Sequence, residues 1–313
     1  MTGKKRHEDT ICDEGNDFHP LVSVIIPVFN DFSRLLLCLT SLRNQSYPKD
    51  YYEIIVVDNN STSFFNLSHS EFGEIKLCFE ATPGSYAARN KGISVAKGDI
   101  FAFIDSDCVA QKSWIANGVA ALESASAHLV GGQVTFILSP QRTPAEIYDS
   151  LTNMQIERNI AERKVSKTAN LFVRREIFDS VGLFPQHLKS GGDVAWTKKA
   201  TDSGHLLAYS KEAEVFHPAR KLPQLLKKQF RVGKGQTTMR LAEGQTLKKI
   251  AIDTIFCFKY PRIQFLTDKI EPKYEEEVMS RPLAILLVIW LCNISTGLGR
   301  FTTILIKLVT SLK

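Results

Sequence analysis

The feature that most constrains this chain is an uninterrupted apolar run, Ile100-Phe101-Ala102-Phe103-Ile104, ending on Asp105-Ser106-Asp107. Five residues without a polar face read as a central parallel strand buried on both sides, which places the chain in the α/β class. Ligands of open α/β sheets bind beyond the carboxyl ends of the strands. Two carboxylates at i and i+2 in that position suit a hard divalent cation, and such a cation suits the phosphates of a nucleotide. The plainer reading of the same three residues is a turn, where Asp and Ser are common.

The flanking segments repeat the pattern. Residues 21–28 form a buried strand whose Pro27 fits its last residues better than its middle. Asn30-Asp31 opens a helix carrying Leu35, Leu36, Leu39 and Leu42 at helical spacing. A second buried strand, 52–57, stops at Asp58, so strand, helix and strand make a right-handed βαβ unit. Asp58 is then either a turn residue or a carboxylate for the base or ribose of a nucleotide. A third strand at 75–79 leads to Pro83-Gly84-Ser85 and a helix over 86–96. Arg89 and Asn90 in its second turn could clamp a phosphate or orient the carboxylates.

Beyond Asp107 the sequence predicts a helix from Ser113 to 122, a strand at 129–134, a helix over 145–163 and a strand at 169–173. Gly191-Gly192-Asp193 precedes a helix at 194–202. Asp193 reads as an N-cap, although two glycines also permit close approach of a ligand. A strand follows at 206–209, then a loop holding Phe216-His217-Pro218, whose single His is more often structural than a ligand. Residues 229–236 offer Lys and Gly, but the P-loop spacing is absent.

Charge is divided unevenly. From residue 220 onward there are 17 Lys or Arg against 7 Asp or Glu, so this stretch carries +10 of a net +6 and the rest carries −4. Such a tail suits anionic lipid, phosphorylated ligands or nucleic acid, and its apolar stretches favour lipid over nucleic acid. Residues 282–299 contain no charge and are bracketed by Arg281 and Arg300. As a helix they measure about 27 Å, just short of the roughly 30 Å hydrocarbon core. With the apolar stretch at 301–312, a re-entrant or interfacial helix pair, a true span and a core helix all remain open. The six cysteines are scattered with no Cys-x-x-Cys, and no signal peptide is evident. Neither a disulfide framework nor a zinc site is expected, and a reducing cytosol is the expected setting.

Taken together, these pieces resemble the family 2 glycosyltransferases of GT-A fold. The resemblance covers about residues 21–240 and rests on five elements in order. They are Val24-Ile25-Ile26-Pro27-Val28-Phe29-Asn30, Ile55-Val56-Val57-Asp58-Asn59-Asn60-Ser61-Thr62, Gly84 through Ala88-Arg89-Asn90-Lys91-Gly92, Gly98-Asp99 through Asp105-Ser106-Asp107, and Gly192-Asp193. It implies a Rossmann-like, mostly parallel sheet flanked by helices over residues 20–240. A flexible arm at 1–19 would precede it, and a basic and apolar helical tail at 241–313 would follow, its membrane-associated segment at 282–312. It also implies inverting transfer of one sugar from a nucleotide-diphosphate sugar to an acceptor hydroxyl, with Mg2+ or Mn2+, in glycan or glycolipid assembly. Pro27, Phe29 and Asn30 would line the base pocket and Asp58 would contact the nucleoside. Arg89 would lie near the diphosphate. Asp105 and Asp107 would form the metal motif, with Asp107 the direct ligand. His217 would be a further metal or diphosphate ligand. Asp193 is similar to the catalytic base, although Gly192 stands where the family often has Glu. Arg231 and Lys234 lie where members carry a basic flexible segment closing over the donor. A lipid-linked or glycan acceptor at the cytoplasmic face of a membrane would suit the tail; if the tail is core, the setting is simply cytoplasmic.

Two other classes compete. The Asp105 segment is also similar to the nucleophile motif of haloacid-dehalogenase-type phosphatases, which predicts a covalent phosphate on Asp105. Here, however, strands precede the motif and no acidic pair follows it. A non-catalytic sugar-nucleotide-binding or scaffold protein would bind donor without turnover. Within the family, the Gln-x-x-Arg-Trp motif of processive synthases is absent, which favours transfer of a single sugar.

Overall fold

Strand β4 (Ile100–Ile104) is buried at every residue and sits at the centre of the sheet. The computed structural model describes residues 19–62, 74–261 and 275–311; the arm expected at 1–19 lies outside these apart from its last residue. β1 (Val22–Val28), β2 (Tyr52–Asp58) and β3 (Ile75–Phe79) join β4 in the parallel order β3-β2-β1-β4. Helices α1 (Phe32–Arg43) and α2 (Ser85–Val95) lie between consecutive strands of this half. Pro27 is tolerated because pairing of β1 with β4 ends at Ile25. The next residue, Val28, turns its carbonyl toward β2, where it accepts from the Asn59 amide at 2.8 Å. Successive residues alternate sides, so Pro27 presents its ring nitrogen where no ladder remains.

The antiparallel pairs of this mostly parallel sheet fall in the second half. β7 (Asn170–Arg174) pairs antiparallel with β4, and the order continues through β6 (Leu129–Ile137), β8 (Leu207–Pro218) and β5 (Val109–Ala110). The chain re-enters the sheet at Asn170, opposite Ile104. It therefore comes in from the end where β4 finishes and must run back. The result is one mixed eight-stranded sheet among the described residues.

Asn170 stabilises the irregular place in this half. It is fully buried where β6 shifts register against β8 between Gly132 and Val134. Its amide donates to the carbonyls of Gln133 (2.8 Å) and Ala213 (2.7 Å), and its side-chain carbonyl accepts from Trp114 Nε1 (2.9 Å). Asn170→Leu strands these three partners in the core. We expect about 3 kcal/mol of lost stability, read as a lower urea midpoint at unchanged m-value.

Two expectations need correction. The helix at 145–163 is two helices, α4 (Pro144–Thr152) and α5 (Ile156–Arg163), because Met154 adopts a left-handed φ of 53° between them. His217 is not in a loop. Past the register shift, β8 continues to Pro218, with Ala213, Val215 and His217 buried in alternation. The polar stretch Ser210 to Glu212 masks this period of two in the sequence.

The chain continues through α3 (Trp114–Ser124), α6 (Glu176–Val181) and α7 (Gly192–Asp202) to α8 (Leu222–Ala242), α9 (Leu247–Ile255), α10 (Glu275–Ser280) and α11 (Pro282–Ser311). The apolar tail is thus one 30-residue helix rather than a pair. It lies along α8 with backbones in close approach. A Cβ on Gly233 would meet Thr296 O at 2.1 Å, and one on Gly299 would meet Phe230 O at 2.1 Å. Its inner face, Ile285, Leu286, Ile289 and Cys292, joins α4 and Leu225 of α8 in a second apolar cluster. Its outer face leaves Leu283, Leu305, Ile306 and Val309 exposed.

Candidate active site

The carboxyl ends of β1 and β4, the N-terminus of α7 and one face of α8 enclose a cleft of about 540 Å³. Pro27, Phe29, Arg89, Asp105, Asp107, Asp193 and Arg231 all line it. Residues far apart in sequence thus meet at one place.

Arg89 comes from the second turn of α2 and is almost fully buried. Its guanidinium pairs with Asp105 at 2.5 Å. Asp105 is therefore occupied by an internal cation. Asn90 faces elsewhere, exchanging two hydrogen bonds with the backbone of Phe184 at 2.9 and 3.0 Å. It holds the fold and is no part of the cleft wall. Asp107 is the freer carboxylate, 3.6 Å from Arg34 and 3.6 Å from His217 Nε2.

Asp107, Cys108 and His217 form a compact donor group, with their ligand atoms within 4.8 Å of one another. Burial pushes the Cys108 thiol well above its usual range, with the nearby Asp107 and Asp105 carboxylates adding to the rise. That makes Cys108 the weakest donor of the three. His217 is oriented by a contact of 2.7 Å between Nδ1 and the Pro218 carbonyl, which takes up Nδ1–H. The Nε2 lone pair is left facing Asp107, and Arg220 donates toward it at 3.2 Å. A backbone carbonyl fixing the remote imidazole nitrogen is the usual support for a metal-binding His. One carboxylate and one imidazole, with space in the cleft for phosphate oxygens, fit Mg2+ or Mn2+.

Asp193 is not the N-cap of α7. That place is taken by Gly191, at φ 78°, which leaves Asp193 inside the first turn. Tyr86 Oη and the Val194 amide both donate to its Oδ1, each at 2.9 Å. Gly192 has a local reason to lack a side chain, because a Cβ there would lie 2.7 Å from the Tyr86 ring.

Other expected residues lie at the rim or outside. Asn30, at φ 51°, accepts from the Thr62 amide and hydroxyl, while its own amide donates to Ser61 Oγ. Asp58 accepts from the Ser61 amide at 3.1 Å. Both shape the loop ends beyond β1 and β2, and neither lines the cleft. Arg231 and Lys234 are on the helix α8, not on a loop. Lys234 turns away, its ammonium 5.0 Å from the Phe230 ring centre. Sequence reasoning missed Tyr86, Arg220 and Lys228. Tyr86 sits three residues before Arg89 and Arg220 three after His217, and on α2 that spacing alone puts two side chains on one face.

A sheet of this kind, with carboxylates at its strand ends, is the arrangement expected of a GT-A glycosyltransferase, and the comparisons establish the class. The model "Glycosyl transferase family 2" matches residues 23–182. The chain belongs to that family. It is 40% identical to "Glycosyltransferase AglE" of Haloferax volcanii over 294 residues, covering 91% of this chain and 97% of that protein. It is 26% identical to "Poly(ribitol-phosphate) beta-glucosyltransferase" of Bacillus spizizenii over 63% of this chain and 32% of that one. Among solved structures, mannosyltransferase PcManGT from Pyrobaculum calidifontis, in complex with GDP-Man and Mn2+, superposes with TM-score 0.56 at 18% identity. That match covers 94% of this chain and 76% of the other. The haloacid-dehalogenase alternative is thereby excluded.

Proposed function

We propose that the protein transfers a single sugar, with inversion, from a nucleotide-diphosphate sugar to an acceptor hydroxyl in glycan or glycolipid assembly, and that the transfer depends on Mg2+ or Mn2+. The observation that carries this reading is the Asp193 carboxylate. Among the described residues, both of its hydrogen bonds fall on Oδ1, which leaves Oδ2 to accept a proton. A scaffold would have no need of such a base. Phe29, more than half exposed at the end of β1, offers a platform for the base beside Pro27. The loop braced by Asn30 and Asp58 bounds that side. Asp107 and His217 would hold the divalent ion, which when bound neutralises charge developing on the departing diphosphate. Arg89 keeps Asp105 in place, and Arg231 adds positive charge from α8. Asp193 takes the acceptor proton from the face opposite the diphosphate, as a single in-line displacement requires.

The test is a thermal-shift panel of UDP, GDP, dTDP and CMP with and without Mn2+, followed by transfer assays with the corresponding donors. One diphosphate stabilising the protein only with metal, together with turnover, supports the reading. Tight binding with neither transfer nor donor hydrolysis would return the scaffold alternative.

We further propose attachment to the cytoplasmic face of a membrane through the outer face of α11, in keeping with a lipid-linked acceptor. Ile252, Ile255 and Phe256 of the neighbouring segment are also exposed, and Lys248, Lys249 and Arg281 supply positive charge nearby. Leu305→Glu with Ile306→Glu is expected to weaken flotation with anionic vesicles by about 10- to 100-fold, with nucleotide binding unchanged.

A further inference from the structure

The cleft carries more positive charge than one donor uses. Its wall holds seven Arg or Lys side chains against four Asp. Asp149, wholly buried, lies behind the wall and brings the acids to five. A divalent ion and the two charges of a nucleotide-sugar diphosphate cancel each other. The wall itself is left with more basic than acidic side chains.

The surplus sits in one place. Lys228 on α8, Lys167 before β7 and Arg220 after β8 converge from three elements. Asp149 accepts from the Arg220 backbone amide (3.0 Å), the Arg220 guanidinium (3.2 Å) and the Asn153 amide (2.5 Å). Lys228 Nζ stands 3.5 Å from the same carboxylate. Nζ is sealed from solvent, and beyond this ion pair it has no hydrogen-bond partner among the described residues. A buried ammonium whose one ion pair leaves its hydrogens unsatisfied is costly, and a further acceptor would relieve that cost. Burial, reinforced by Arg220, pushes Lys228 down to about 7. Lys167 is also lowered, by burial first, while Asp193 opposes that shift. Lys167, Arg220 and Lys228 line the same cleft as Asp193, so a group held by them lies within the space that the proposed base faces.

We propose that Lys228, Lys167 and Arg220 form a subsite for an anionic group, carboxylate or phosphate, carried by the acceptor residue whose hydroxyl faces Asp193. This rests on the transferase reading and narrows it: the acceptor is an acidic sugar or a sugar phosphate, not a neutral one. The anion takes the place of the missing hydrogen-bond partner of Lys228. It also orients the acceptor ring, so that one hydroxyl meets Oδ2 of Asp193.

The test uses the full chain with Mn2+ and the nucleoside diphosphate that stabilises it. Methyl glucuronide, glucose 6-phosphate and methyl glucoside are titrated by saturation-transfer NMR. At least one anionic probe is expected to bind about tenfold or more tightly than the glucoside. Preference between the two identifies carboxylate or phosphate. Lys228→Met and Lys167→Gln should each remove most of that advantage and leave nucleoside diphosphate affinity within about twofold. Asp149 keeps Arg220 and Asn153 in both variants, so no buried acid is left unpaired. Equal binding of the three probes, or no binding of either anion, overturns the proposal. So does a loss of nucleoside diphosphate affinity in the variants, which would assign the cluster to the donor. If no nucleoside diphosphate binds with Mn2+, the donor reading itself fails, and the same titration on the metal-loaded protein still decides whether an anion is held.

Discussion

Asp193→Asn lowers kcat by about 10²- to 10⁴-fold, and the thermal midpoint stays within about 3 °C of the parent. The substitution is nearly isosteric. Asn retains Oδ1, so Tyr86 Oη and the Val194 amide keep their acceptor. What changes is the second oxygen, replaced by an amide nitrogen with no lone pair for the acceptor proton. Donor affinity, measured without acceptor, is expected to be unaffected, so the loss appears in kcat and not in donor KM. Near-normal turnover in folded Asp193→Asn protein would remove Asp193 from the role of base.

Asp107→Ala produces a different signature. It removes the carboxylate that faces His217 Nε2 at 3.6 Å and Arg34 at 3.6 Å, and leaves the Arg89–Asp105 pair intact. Transfer is expected to fall by about 10²- to 10³-fold or more. The metal-dependent rise in melting temperature on adding nucleoside diphosphate, roughly 2–4 °C at saturating ligand, should vanish. Asp193→Asn retains that rise, so the pair separates binding of the leaving group from removal of the proton. A preserved metal-dependent shift in Asp107→Ala would move the ion to other residues.

Much of the first half was legible because its cues are local. The apolar runs at β1, β2 and β4 have one structural solution, and their ends carry the acids. The second half was harder, since its cues depend on partners. The left-handed Met154 splits a segment of helical composition, and nothing in its neighbours announces the break. His217 looked solitary because the strand bearing it begins with Ser, Lys and Glu; the alternation of Ala213, Val215 and His217 was present but short. Arg89 was found by motif, whereas Tyr86 reaches Asp193 across 107 residues of sequence, a distance no local pattern spans. Lys228 reads as an ordinary surface lysine until α4 and its Asp149 are placed behind it.

The helix α8 has two narrow contacts on opposite errands. Gly233 lets it touch the backbone of α11, and Gly235 lets it touch Ser190, where a Cβ would come within 3.1 Å of the residue just before Gly191. Before them, α8 carries Lys228 and Arg231 into the cleft. The apolar tail, one helix and the loop that sets Asp193 are therefore stacked like links in a rod, with almost no compressible side chain between them. Shortening the chain to make it easier to handle would remove the backstop of that rod, and the first losses would be felt at the cleft rather than at the cut.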